Sequence, residues 1–143
     1  MYSIIKSSHS HSAWLTLAAL GIVIFLAAIA MFEKRPWTLA QYKMALIGLI
    51  LSHVQILLGL ILYFTSPYGM SNLSGDTMKD SFARLLAVEH PFVNILAIVL
   101  ITIGYSKGKK LIGTTGAAKT VFIYYGLGLL LILSRIPYHV WLK

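Results

Sequence analysis

An all-α membrane fold is what this sequence predicts: four antiparallel transmembrane helices in an up-down bundle, with both termini on the outer, periplasmic side. Three observations lead there. The chain has 143 residues, 58% hydrophobic and only 11% charged, with a mean hydropathy of +0.80. One soluble core of this size could not hide so much apolar surface. The excess falls into four runs, at about 12–32, 44–65, 82–105 and 120–139, each near the roughly 20 residues that a helix needs to cross a bilayer. Basic residues then divide unevenly between the two sides that four crossings create. Seven (Lys34, Arg35, Lys43, Lys107, Lys109, Lys110, Lys119) fall in the loops on one side, against five (Lys6, Lys79, Arg84, Arg135, Lys143) on the other. The richer side is the cytoplasmic one. The net charge of +8 is therefore read as topology rather than as a nucleic-acid surface. Nothing is left over for a second folded unit, so residues 1–143 form one domain. Cysteine is absent, which excludes disulfides, thiolate metal sites and iron–sulfur clusters held by this chain.

In chain order, residues 1–10 read as a short polar lead, with His9 solvated within Ser8-His9-Ser10-His11-Ser12. Ser10 or Ser12 caps the first helix, and His11 and Trp14 fall in its first turn. His11 can point into the bundle, while Trp14 is an interfacial belt aromatic. The run is too long for a secretory signal and reads as a retained span. A short loop at 33–38 leads through an interfacial turn into the second span. There Gly48, Ser52, Gln55, Gly59 and Tyr63 make one small and polar stripe, the type of face on which membrane helices approach closely.

Residues 66–80 form the longest loop, which can lie over the outer bundle end as a lid. The third helix is expected to begin before the membrane. It enters with Ala87-Val88-Glu89-His90-Pro91-Phe92-Val93-Asn94, where a carboxylate and an imidazole interrupt an apolar run. Ionisable groups at such depth are costly and mark function. Pro91 should kink the helix or free a carbonyl. On the fourth span Tyr124, Gly128, Ile132, Arg135 and His139 share a stripe.

This topology gathers His11, His90 and His139 at the outer end. His53 lies twelve residues before Thr65, or roughly 18 Å deeper along the helix. His11 and His90 are level and on non-consecutive helices, so they could ligate one haem iron in an apolar bundle. Arg84, Lys79 or Arg135 could pair with its propionates, and Glu89 could orient a histidine or pair with Arg84. A copper or zinc site would need His9, His11 and His90 together. Quinone could bind at His53, Gln55 and Tyr63. There is no zinc-protease motif, nucleophile–base pair or phosphate loop.

Several segments resemble a family of small bacterial four-helix membrane proteins labelled cytochrome B, over nearly the whole chain. They are Ser8-His9-Ser10-His11-Ser12, Ser52-His53-Val54-Gln55-Ile56-Leu57-Leu58-Gly59-Leu60, Met78-Lys79-Asp80-Ser81, Ala87-Val88-Glu89-His90 and Ile103-Gly104-Tyr105-Ser106-Lys107. The resemblance implies b-haem and a multi-pass protein of the bacterial inner membrane. His11, His53 and His90 match its motif positions; His9 and His139 do not. That family usually carries Arg-Trp after the His-Ser pair, where this chain has Ala13-Trp14. Gln55-Ile56-Leu57-Leu58-Gly59 followed by an outer loop and His90 is similar, more distantly, to one half of a haem A synthase. That similarity implies the ligand pair His11 and His90.

The expectation is an integral membrane b-type cytochrome carrying electrons through one bis-histidine haem near the outer face. His11 and His90 are its metal ligands, and His53, Arg84 and Arg135 complete the cofactor-binding set. Quinone or a periplasmic or respiratory protein is its redox partner, in a larger complex or a homo-oligomer. Such a chain is an electron-transfer protein rather than a complete enzyme. The alternatives are a structural or assembly subunit of a respiratory complex without its own cofactor, and a haem A synthase-like enzyme.

Overall fold

The computed structural model describes residues 1–142; Lys143, counted above among the outer basic residues, lies outside them. The described chain is helical throughout its ordered elements. Four segments are long and apolar enough to cross a membrane: Tyr2–Phe32, Leu39–Thr65, Ser81–Lys109 and Thr115–Ser134. They pack as a ring. The first helix, α1 (Tyr2–Phe32), lies against α2 (Leu39–Thr65) and α6 (Thr115–Ser134). The helix α5 (His90–Lys109) closes the other side against α2 and α6. Outward-facing side chains such as Leu15, Phe25, Leu57 and Leu130 are each more than half exposed, the apolar exterior that a bilayer requires.

Local chemistry sets the boundaries. α2 begins with a reciprocal cap: the Gln41 N–H donates to the Thr38 hydroxyl at 3.2 Å, and the Thr38 N–H donates to Gln41 Oε1 at 2.9 Å. The interfacial turn expected before residue 44 is thus the first turn of α2 itself. After Thr65 the chain passes through a 3-10 turn (Met70–Asn72) and a short helix, α3 (Gly75–Lys79). Asp80 then caps α4 (Ser81–Arg84), its carboxylate accepting from the Ala83 N–H at 2.6 Å. A π-helical turn, Leu85–Glu89, joins α4 to α5. Pro91 therefore produces no break. The wider π turn accommodates a ring that would otherwise meet the carbonyl four residues back.

Two expected boundaries need correction. The lead at residues 1–10 is not a solvated tail, because α1 is already helical at Tyr2. At the other terminus the fourth span ends at Ser134, and the chain turns at Pro137 into a four-residue helix, α7 (Tyr138–Trp141). Proline lacks the N–H that would continue the ladder, so His139 leaves the stripe it was expected to share with Tyr124 and Gly128. Trp141 folds back instead. Its ring stacks on Trp14 at 4.5 Å between centroids, and its indole N–H donates to the Ser10 carbonyl at 3.3 Å.

The two ends of the ring differ. At the end carrying the loops at 33–38 and 110–114, the interior is filled. Trp37 is fully buried there, its backbone N–H donating to the Thr114 carbonyl at 3.1 Å and its backbone carbonyl accepting from the Gly113 N–H at 2.9 Å. Leu20, Val23, Ala27, Ala45, Ile101, Val121 and Tyr125 continue this packing toward the middle. Tyr42 and Tyr105 stack at 4.7 Å, and the buried Tyr125 hydroxyl donates to the Ala45 carbonyl at 2.7 Å. Phenylalanine at position 125 is expected to cost about 0.5–1.5 kcal/mol, the usual net value of one intramolecular hydrogen bond. Unfolding of the variant by a strong detergent checks it. At the opposite end the helices enclose a hollow.

Candidate functional site: a histidine-lined cavity

The hollow has a volume of about 380 Å³, within the range of small-molecule and cofactor pockets. Its wall is mostly apolar, with Leu86, Ile98 and Ile132 among its residues. The polar groups that interrupt it include His9, Ser52, Gln55, Tyr63, His90 and Asn94. Ser66, Tyr68 and Gly69 of the loop after α2 also line it, so that loop does lie against the cavity. Small and polar side chains in this half of the bundle fail to fill the space that Leu20, Val23 and Tyr125 fill in the other. The stripe on α2 accordingly divides: Gly48 meets Leu20 and Tyr125, whereas Gln55, Gly59 and Tyr63 face the cavity.

His9 and His90 meet across this space, with ring centroids 6.3 Å apart and planes at 83°. His11 is not part of the pair. It is exposed, its Nδ1 2.7 Å from the Ser7 carbonyl of its own helix. The reason is helical phase. Two residues on a helix are separated by about 200°, so His9 and His11 cannot share a face. His9 is in phase with the inward-facing Thr16, Leu20, Val23 and Ala27, and His11 with the outward-facing Leu15. The same periodicity was available in the sequence once α1 is extended back to residue 2.

The other expected site residues are placed as follows. His53 is exposed at the middle of α2, with its Nδ1 2.9 Å from the Leu49 carbonyl. A donor satisfied within its own helix lowers the cost of that position. Arg84 and Arg135 do not line the cavity. Both engage Glu89 at the rim, Arg84 Nε at 2.8 Å from one carboxylate oxygen and Arg135 Nε at 3.3 Å from the other. Lys79 pairs with Asp76 at 3.3 Å. Lys6, to which no site role was given, is a cation that lines the cavity. Among the described residues no three histidine or carboxylate side chains are grouped to hold a metal ion, and His9, His11 and His90 do not converge.

Hydrogen bonds define which ring nitrogen of each cavity histidine carries its proton. Two groups approach His90 Nδ1, the Arg135 carbonyl at 2.7 Å and the Asn94 amide nitrogen at 3.3 Å, and the shorter contact decides the role of that nitrogen. A carbonyl only accepts, so Nδ1 is the protonated nitrogen and Nε2 keeps a lone pair. Asn94 supports the same residue by donating to the His90 carbonyl at 2.6 Å. The Gln55 amide nitrogen donates to the His9 carbonyl at 2.8 Å and approaches His9 Nδ1 at 3.2 Å, while Ser12 donates to the Gln55 amide oxygen. His9 Nδ1 is thus an acceptor, and its Nε2 carries the proton. Gly59 lets this ring lie against α2, since a Cβ there would stand 3.1 Å from His9 Cε1. Sequence reasoning had set His9 aside as solvated and had treated the α2 stripe as packing. Spacing between Gln55 and Gly59 was the available signal for a group seated against α2. Comparison of the chain with protein-family models, with curated proteins and with solved structures returns no match in any of the three.

Proposed function

We propose that this chain is a multi-pass protein of the bacterial inner membrane, an up-down antiparallel bundle with both termini outside, that holds one b-type haem. In this reading His9 and His90 are the ligands. The observation that carries it is the pair of imidazoles facing each other in a hollow, mostly apolar half of the bundle. The 6.3 Å between the ring centroids is wide enough that a metal about 2 Å from a nitrogen of each imidazole could be held between them. His90 meets the requirement as it stands, because its Nε2 is free and its Nδ1–H is held by a carbonyl. His9 would need its proton moved from Nε2 to Nδ1 and the Gln55 amide turned away from its present bonds to the His9 carbonyl and the Ser12 hydroxyl. Lys6, which lines the cavity, could pair with a propionate in place of Arg84 and Arg135, whose guanidiniums engage Glu89.

Haem would supply one-electron chemistry at the outer half of the membrane. The protein excludes water from the inner half by close packing and aims both imidazoles from opposite walls. Quinone or a periplasmic protein exchanges the electron. The resemblance to the small cytochrome B proteins also implies b-haem, but it places the ligand opposite His90 at His11 rather than at His9. Purified protein reduced with dithionite is expected to show a b-type α-band with one haem per chain. No band after supply of haem during expression overturns it and leaves a quinone in the same cavity or a cofactor-free structural subunit.

One observation favours a second reading, a quinone in the same cavity. As held by Gln55 and Arg135, His9 offers an N–H and His90 a lone pair, a donor and an acceptor suited to a quinol or quinone oxygen. Organic extraction of a haem-free but quinone-loaded preparation would separate it from the first.

A further inference from the structure

We infer that Glu89 is a positioning residue for His90, acting through Arg135 rather than by direct contact. Its carboxylate bridges two guanidiniums, Arg84 at 2.8 Å and Arg135 at 3.3 Å. Arg84 and Glu89 are five residues apart, a separation that an α-helix does not bring together as well as three or four. The π turn at Leu85–Glu89 has the longer repeat that brings them into register. Arg84 is anchored in turn, donating to the Met78 carbonyl at 2.7 Å. Arg135 is the residue at which α6 ends, with φ −129° and ψ 23°, and its carbonyl is among those that the helix leaves without a partner. That carbonyl accepts from His90 Nδ1 at 2.7 Å. The carboxylate therefore ties down the end of α6 by the Arg135 side chain, and the Arg135 backbone holds the imidazole. One consequence is that Nε2 of His90 presents its lone pair to the cavity.

This role explains a carboxylate at the start of an apolar run. Both guanidiniums and the carboxylate are partly exposed, where ion pairs add little to stability, so the cluster is assigned to orientation rather than to stability. The consequence for cofactor binding rests on the haem reading, but the tautomer does not.

The test uses the full chain in detergent micelles, expressed without haem supply, with the histidine tautomers read by ¹⁵N NMR. In the wild type His90 is expected as a single Nδ1–H tautomer. Glu89→Gln and Arg135→Gln, which keeps the carbonyl but removes the guanidinium, should each release it into a mixture with Nε2–H, and Glu89→Asp should restore it. Haem affinity of the two glutamine variants should fall roughly 10- to 100-fold, as for loss of other groups that orient a ligand. Retention of the Nδ1–H tautomer in both glutamine variants overturns the inference, even if haem binds. A tautomer change in a protein that takes up no haem leaves the positioning role standing and overturns the cytochrome reading instead. Should Glu89→Gln fail to fold, Arg135→Gln alone decides the same question.

Discussion

Alanine in place of His90 is expected to abolish the reduced α-band, and alanine in place of His9 to do the same. His11→Ala and His53→Ala should leave both the band and the haem-to-protein ratio at wild-type values. The contrast between His9 and His11 is the decisive part. The two residues are separated only by Ser10, and both sit in a Ser-His-Ser repeat, so composition and depth do not distinguish them. Direction does: His9 faces His90 at 6.3 Å, while His11 is exposed on the face of α1 that carries Leu15. If His9 and His90 hold a haem as proposed, removing either would leave a single imidazole to hold it, so loss of the cofactor rather than a small shift is the expected size. Loss of haem on removing His11 with retention on removing His9 would refute the pairing.

Packing of α5 against α6 provides the second large effect. At Gly104 a Cβ would collide with the Cβ of Tyr124, with the Tyr124 backbone behind it. No flexible side-chain end is available there to move aside, so the helices themselves must separate. Valine at 104 is expected to destabilise the fold by about 1–3 kcal/mol, the range for overpacking. Close approach through small residues is also the main source of helix–helix attraction in lipid. Gly126 on α6 is the control, because a Cβ there meets nothing within 4 Å. Alanine at 126 should be neutral or slightly stabilising by helix propensity. Unfolding midpoints of the two variants in mixed micelles measure the difference. Equal midpoints would show that the α5–α6 seam does not limit stability.

Some of the site was legible in the residues and some was not. His90 was readable because an imidazole beside a carboxylate interrupts an apolar run, and such an interruption needs a reason. His9 was missed because the first ten residues are polar enough to look like a tail. Polarity at a membrane boundary does not end a helix, and Tyr2 to Ser12 carry no proline or glycine to stop one. Arg84 and Arg135 looked like free cations for a carboxylate-bearing ligand. Glu89 engages both, and that required knowing that a π turn places Arg84 beside it.

By itself the sequence determined four helices long enough to cross a bilayer, because spanning depends only on the length and hydropathy of each run. It also determined that one end would carry histidine, asparagine and glutamine among apolar residues. Tertiary structure alone decided that the inward histidine of α1, His9, meets His90 across the hollow, since that depends on how α1 and α5 pack against α2. It alone decided that one half of the bundle is filled and the other hollow. Filling depends on which side chains from four helices meet at one level, and no single helix carries that information.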